Sequence, residues 1–176
     1  MNKETLKREA LSWAKSIAIA VVLAMVIRYF VIESYQVEGT SMVPTLQNSE
    51  RLFVNKFIYR FREPKTGDII VLKYPSDTSK DFIKRVIAKS GDTLEIIDGR
   101  VLVNGTAINE PYINEPMRIA NNYPKIEIPK GYVFVMGDNR NHSKDSRYSD
   151  VDLVSYDLIK GEALFAYWPL SQMRLF

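Results

Sequence analysis

The chain has 176 residues, 46% of them hydrophobic and 26% charged, with a formal net charge of +3, one histidine and no cysteine. That length holds one domain of ordinary size with an appendage, and the composition excludes both a disordered chain and a multi-span membrane protein. The small, scattered positive charge excludes a nucleic-acid partner, the missing cysteines exclude a disulfide scaffold, a thiol nucleophile and a Cys-built zinc site, and a lone His142 leaves no histidines for a metal site.

The first element is an apolar run. Ser16 to Ile27 carries no charge, and Tyr29 to Ile32 extends it past Arg28. Residues 16–32 at about 1.5 Å rise give roughly 25 Å of helix, close to the bilayer's apolar thickness of about 30 Å, with Arg28 snorkelling to the headgroups beside Tyr29 and Phe30. Lys3, Lys7, Arg8 and Lys15 precede the run, so the positive-inside rule places residues 1–15 in the cytoplasm and residues 33–176 outside. A cleaved secretory signal would show small residues after its apolar core, whereas Arg28-Tyr29-Phe30-Val31-Ile32-Glu33 is bulky and charged. A buried core helix would show a polar face, and Ser16–Ile27 has none. The expectation is one retained transmembrane helix at the cell membrane.

Next comes Gly39-Thr40-Ser41-Met42-Val43-Pro44-Thr45-Leu46, a serine between a glycine turn and a proline that restricts Val43 to extended geometry. Beyond it the pattern becomes short and alternating. Arg51–Lys56, Asp68–Lys73, Phe82–Ala88, Thr93–Ile97, Arg100–Val103 and Tyr132–Met136 read as strands, several nearly continuously apolar. Turn signals separate them, among them the two-residue hairpin Asp98-Gly99 and Asn104-Gly105, where Asn104-Gly105-Thr106 reads as a turn more readily than as a glycosylation acceptor. Asn109 to Lys125, rich in Asn, Pro and Glu, reads as a long surface excursion. The predicted fold class is mainly β: an antiparallel β-sheet or barrel-like ectodomain, a closed or partly closed barrel or a sandwich, behind one N-terminal transmembrane α-helix.

The chemistry lies in two residues. A serine hydroxyl needs a base, and lysine serves only when neutral, which its ordinary pKa of about 10.4 prevents. Lowering that to about 7–8 requires roughly 3–4 kcal/mol of disfavour for the ammonium form, and apolar burial supplies it. Lys84 sits among Phe82, Ile83, Val86 and Ile87, and strand alternation puts Phe82, Lys84 and Val86 on one face and Arg85 on the other. Taken singly, Lys84 is a snorkelling lysine on an edge strand and Ser41 a turn residue. The pair makes the case for a serine–lysine dyad, with a backbone amide near Ser41 directed at a developing oxyanion. The polar run Gly137 to Arg147 follows the strand Tyr132–Met136. It offers an Asp145–Arg147 ion pair and two serines, Ser143 and Ser146, either able to orient the lysine.

The ordered motifs Gly39-Thr40-Ser41-Met42-Val43-Pro44-Thr45-Leu46, Lys84-Arg85-Val86 and Gly137-Asp138-Asn139-Arg140 with Ser143, Asp145, Ser146 and Arg147 resemble those of bacterial type I signal peptidase, in the compact Gram-positive form. The resemblance covers essentially the whole chain. It implies a membrane-bound serine endopeptidase that removes signal peptides from exported preproteins, without a cofactor. It also implies that Ser41 is the nucleophile and oxyanion amide donor, Lys84 the general base, Ser143 a hydrogen-bond partner of the lysine amine, and Asp145 with Arg147 a brace of the loop. Val37, Met42 and Ile83 would line shallow pockets for alanine-sized residues at positions −1 and −3 of the cleavage site, with the substrate bound as an added strand. Gly39 departs from relatives that carry Ser or Thr there and leaves the second oxyanion donor open, while His142 is read as a loop residue and Asn109–Lys125 has no catalytic counterpart. The implied partners are signal peptides, the lipid bilayer and, transiently, the secretion translocase. Two other readings remain: a cytoplasmic self-cleaving repressor, which the hydrophobic span disfavours, and a membrane-anchored β domain that binds exported proteins without cutting them, which the Ser41–Lys84 pair disfavours.

Overall fold

A computed structural model describes residues 3–118 and 122–176, with the side chains of Lys3, Thr5, Leu6 and Tyr29 outside the description. The positive-inside argument from Lys3, the interfacial placement of Tyr29, and residues 119–121 of the excursion therefore lie outside the described residues.

Helix α1 spans Lys3–Phe30. It is apolar all round where it matters: Ile17, Ile19, Val22, Leu23 and Met25 are each more than half exposed, as a helix built for lipid rather than for a core would be. Among the described residues it is the one helix long and apolar enough to cross a membrane, over Lys7–Arg28. The apolar run does not continue as helix to Ile32 as predicted. Val31 closes the last turn by bonding Ile27 O at 2.9 Å, and Ile32 opens strand β1 (Ile32–Gln36). Two β-branched residues at 31 and 32 favour the extended backbone that follows.

The rest is antiparallel β in two sheets. The larger contains β1, β2 (Arg51–Asn55), β3 (Ile69–Tyr74), β4 (Asp77–Lys89), β9 (Tyr132–Met136), β10 (Val154–Ser155), β11 (Ile159–Trp168) and β12 (Arg174–Leu175), and the smaller contains β5 (Thr93–Ile97), β6 (Arg100–Val103), β7 (Thr106–Ala107) and β8 (Tyr123–Glu127). The larger runs β1-β2-β11-β3-β4-β9-β10 with β12 beside β11, so its path has two ends instead of closing into a barrel. The smaller runs β7-β6-β5-β8. Three apolar clusters hold these sheets together, and β4 contributes to all of them. Ile83 packs with Val37, Met42, Leu46 and Val71; Phe82 and Val86 pack with Ile70, Leu72 and Val135; Ile87 and Ala88 pack with Leu94, Ile96 and Phe134. The predicted alternation places Phe82 and Val86 together, and a register shift between Val86 and Ala88 lets the strand turn toward the third cluster.

β4 also begins five residues earlier than its apolar signal. Its polar start, Asp77–Asp81, pairs with Lys73 and Tyr74 of β3, leaving that half of β4 with a free edge because β9 pairs only from Arg85 onward. The Asp98-Gly99 hairpin is as predicted, with φ of 49° and 73°. Two expectations change. The excursion does not run to Lys125, because Tyr123–Glu127 forms β8 against β5, and Ile126 packs on the core. β11, at the centre of the larger sheet, was not among the predicted strands. It needs Gly161, where an added Cβ would lie 2.4 Å from Asn55 O, and its polar residues mask the alternation.

Candidate active site

Ser41 lies on the loop between β1 and β2. The base of that loop is tied by Val37 N to Glu50 O at 2.8 Å and Ser49 N to Val37 O at 2.8 Å. Gly39 takes a left-handed φ of 88°, a conformation glycine adopts without penalty, and its amide donates to Asn48 Oδ1 at 2.9 Å. Val43–Pro44 is cis, and the segment turns where sequence reasoning expected extension, with Leu46 N bonding Met42 O at 2.9 Å. Arg174 from β12 reaches under the loop, bonding Thr45 O and pairing with buried Glu50 at 2.6 Å.

Lys84 stands on β4 at the boundary between its free half and its fully paired half. The side chain is 4% exposed, and Nζ lies 2.8 Å from Ser41 Oγ, 2.9 Å from Ile83 O and 5.0 Å from the Phe82 ring centroid. Burial pushes the amine down to about 8 against the opposing pull of Asp145 and Asp138. A lysine so lowered is half neutral near neutral-to-mildly-alkaline pH and can accept the proton of the hydroxyl it touches.

The turn after β9 closes the site from the other side. Asn139 N donates to Ser41 O at 3.0 Å and Asn139 Nδ2 to Thr40 O at 3.1 Å. The approach is close enough that a Cβ on Gly137 would lie 2.4 Å from Ser41 O and 2.3 Å from Ser143 Oγ, so only glycine fits there. Asp145, fully buried, accepts Gly137 N at 3.0 Å and a two-pronged ion pair from Arg147 at 2.7 and 2.9 Å. Arg147 in turn donates to Arg140 O at 2.7 Å.

Two expected contacts differ. Ser143 Oγ is buried against Gly137 and has no hydrogen-bond partner among the described residues, so the expected Ser143–Lys84 bond is absent. The Lys84 amine takes the Ile83 carbonyl of its own strand instead. Ser146 Oγ is occupied by Val135 N at 3.0 Å and does not orient the lysine. Among the described residues no acceptor engages the Ser41 amide, which leaves it available to an oxyanion, whereas the Gly39 amide is taken by Asn48.

The dyad opens into a cleft of about 670 Å³ walled by Tyr35–Met42 on one side and Ser79–Lys84 on the other. Val37, Met42 and Ile83 line it, and all three belong to one apolar cluster, while exposed His142 sits at its rim. Sequence reasoning missed the charged network behind the cleft. Arg85, next to Lys84, makes a two-pronged pair with buried Asp138 at 2.8 and 2.6 Å, and Thr45 Oγ1 also donates to that carboxylate. The two members of the pair stand in separate sequence motifs, Lys84-Arg85-Val86 and Gly137-Asp138-Asn139-Arg140, and their separation of 53 residues hides the pairing.

Similarity to known proteins extends over most of the chain. A family model described as signal peptidase, peptidase S26 matches residues 10–168. Signal peptidase I T of Bacillus subtilis strain 168 is 41% identical over 93% of this chain and 88% of that protein. A probable signal peptidase I-1 of a Synechocystis strain is 42% identical over 88% of this chain and 80% of that protein. A crystal structure of a signal peptidase I from Enterococcus faecalis V583 overlays 57% of this chain and 97% of that one, at a TM-score of 0.49 and 28% identity. With the family model spanning nearly the whole chain and relatives above 40% identity over most of their own length, this chain belongs to the signal peptidase family of S26 serine endopeptidases.

Proposed function

We propose that this membrane-anchored peptidase cuts the signal peptides of exported preproteins with Ser41 as nucleophile and Lys84 as general base. The observation that carries the reading is the 2.8 Å approach of a nearly buried lysine amine to the serine hydroxyl. Neutral Lys84 takes the Ser41 proton as Oγ attacks the scissile carbonyl, and the Ser41 amide donates to the resulting oxyanion. The ammonium so formed protonates the leaving amine, which departs with the mature protein. Lys84 then deprotonates a water that hydrolyses the acyl-serine, releasing the signal peptide with a free carboxylate. Asp145 and Arg147 hold the turn that presses on Ser41, and Ser143, in the same turn, is the further partner proposed for the amine.

The substrate lies extended in the cleft, adding a strand beside the unpaired half of β4. Val37, Met42 and Ile83 make its pockets apolar and shallow, which suits alanine-sized residues at −1 and −3. Lys7, Arg8 and Lys15 ahead of the uncharged run Ser16–Ile27 favour a cytoplasmic N-terminus and an extracytoplasmic catalytic domain. Lipid contact beyond the span is supported by exposed Trp168, Leu170, Met173 and Leu175, with Phe53 on the neighbouring strand. The secretion translocase is the expected transient partner, since it delivers the substrate.

Family membership disfavours the alternative of a non-catalytic β domain. The test is cleavage of a preprotein by the full chain in lipid vesicles, comparing wild type with Ser41→Ala and Lys84→Arg. Both variants should be inactive yet folded, because guanidinium stays protonated and cannot act as a base. Cleavage by either one would remove that residue from its proposed role.

A further inference from the structure

The segment 109–118, which the dyad mechanism leaves unused, lies directly on the arginines that back the active site. Tyr112 places its ring 4.1 Å from the Arg85 guanidinium carbon and 5.7 Å from that of Arg140. Its hydroxyl donates to Glu110 Oε1 at 3.1 Å, and the same carboxylate oxygen lies 2.5 Å from Arg140 Nη2. Farther along, Met117 Sδ accepts from Arg147 Nη1 at 3.2 Å, and Asn141 bonds Glu115 Oε1, Pro116 O and Arg118 N. The segment is held down at its far end, where Met117 is buried over Gly99.

Arg85 and Arg140 each connect to the dyad through one intermediate residue. Arg85 follows Lys84 in the chain and grips Asp138, which holds Thr45 of the nucleophile loop. Arg140 donates to Gly137 O at 3.0 Å, and Gly137 is the glycine in contact with Ser41 O. Arg140 is 1% exposed, and among the described residues Glu110 is the only carboxylate paired with it. Two buried cations flanking one aromatic ring repel each other unless the ring face and a carboxylate compensate both.

We propose that Glu110 and Tyr112 are positioning residues of the Ser41–Lys84 dyad: the segment 109–118 is a strap whose carboxylate and aromatic ring fix Arg140 and Arg85, and through them Gly137 and Lys84. Neither residue lines the cleft; Tyr112 faces a separate cavity of about 300 Å³ with Thr45 and Arg85. The strap therefore acts on turnover and leaves substrate binding alone. This inference rests on the dyad reading above.

The test uses the full chain in lipid vesicles and a peptide probe carrying a signal-peptide end with Ala at −3 and −1, assayed well below each variant's unfolding midpoint. Tyr112→Leu and Glu110→Gln should lower kcat by about 10–100-fold with KM within about twofold, the scale set by sub-ångström to ångström misplacement of catalytic groups. Tyr112→Phe, which keeps the ring over Arg85, should recover most of the rate. Folded Tyr112→Leu or Glu110→Gln with wild-type kcat, or a loss confined to KM, overturns the inference. So does a Tyr112→Phe rate as low as that of Tyr112→Leu. If Tyr112→Leu does not fold, the near-isosteric Glu110→Gln decides alone. Wild type and Ser41→Ala run alongside: equal cleavage by those two sinks the dyad reading, whereas normal cleavage by the strap variants with an inactive Ser41→Ala sinks the strap alone.

Discussion

A lysine amine 4% exposed beside Phe82, Ile83 and Ser41 forfeits its hydration, and two buried carboxylates nearby restore only part of it. The amine is at about 8 in the fold and at its ordinary 10.5 in the unfolded chain. Below 8 both states bind the proton, and the fold carries the full cost of a buried ammonium, about 3 kcal/mol at 1.36 kcal/mol per unit. Between 8 and 10.5 the unfolded chain holds the proton and the fold does not, so stability rises with pH across that window. Lys84→Met should therefore be more stable than wild type at pH 6–7, with the gap narrowing as pH rises to 10.5; denaturant titrations at several pH values measure it. Wild-type kcat should climb through about pH 8, and a rate flat from pH 6 to 9.5 would contradict a titrating lysine base. Ser41 and Lys84 were legible because glycine, proline and a lysine within an apolar strand are local signals. The Arg85–Asp138 pair was not, because nothing near Arg85 in the chain announces a carboxylate 53 residues on. The Ser143–Lys84 bond was expected by resemblance and lost to the Ile83 carbonyl, a competitor that sequence alone does not place.

The short strand β12 shows how an element can serve a site it never touches. Arg174 crosses to the nucleophile loop, where it pairs with Glu50, 2% exposed, at 2.6 Å and bonds Thr45 O. Removing one partner of a fully buried pair costs about 3–5 kcal/mol, and the one-third exposure of the Arg174 side chain reduces this to roughly 1–3. Arg174→Leu should lower the unfolding midpoint by about 2–12 °C, using 2–4 °C per kcal/mol for a chain of this size. It should also reduce kcat, because the loop carrying Ser41 loses its underside. Calorimetry and cleavage assays on the same preparation would measure both, and an unchanged midpoint would show that β12 does not support the loop. Elements with dense apolar runs, such as β3, β5 and β9, were readable from sequence. β11 and β12 were not, since β11 interleaves Lys160, Gly161 and Glu162 with its apolar residues and β12 is two residues long. β8 was hidden because Asn and Pro around Tyr123 read as loop, although Tyr123 and Ile126 both pack on the core.

For the molecule as a whole, the span and the cleft impose one constraint on each other. Signal-peptide ends leave the bilayer on one side, so the cleft works only if α1 delivers the β domain to that side. Lys7, Arg8 and Lys15 on the N-terminal flank of the apolar stretch predict which side that is, because basic flanks stay in the cytoplasm. Exposed Trp168, Leu170 and Met173 would then rest at the outer interface, where Trp is at home. The absence of cysteine makes the orientation directly measurable, since a single introduced thiol has no background. Glu4→Cys places it ahead of the span and Lys130→Cys in an exposed turn of the β domain. In intact spheroplasts a membrane-impermeant maleimide should label Lys130→Cys and spare Glu4→Cys, and disrupting the membrane should expose both. Labelling of Glu4→Cys alone in intact cells would invert the topology, leaving Ser41 in the cytoplasm, on the side away from exported preproteins.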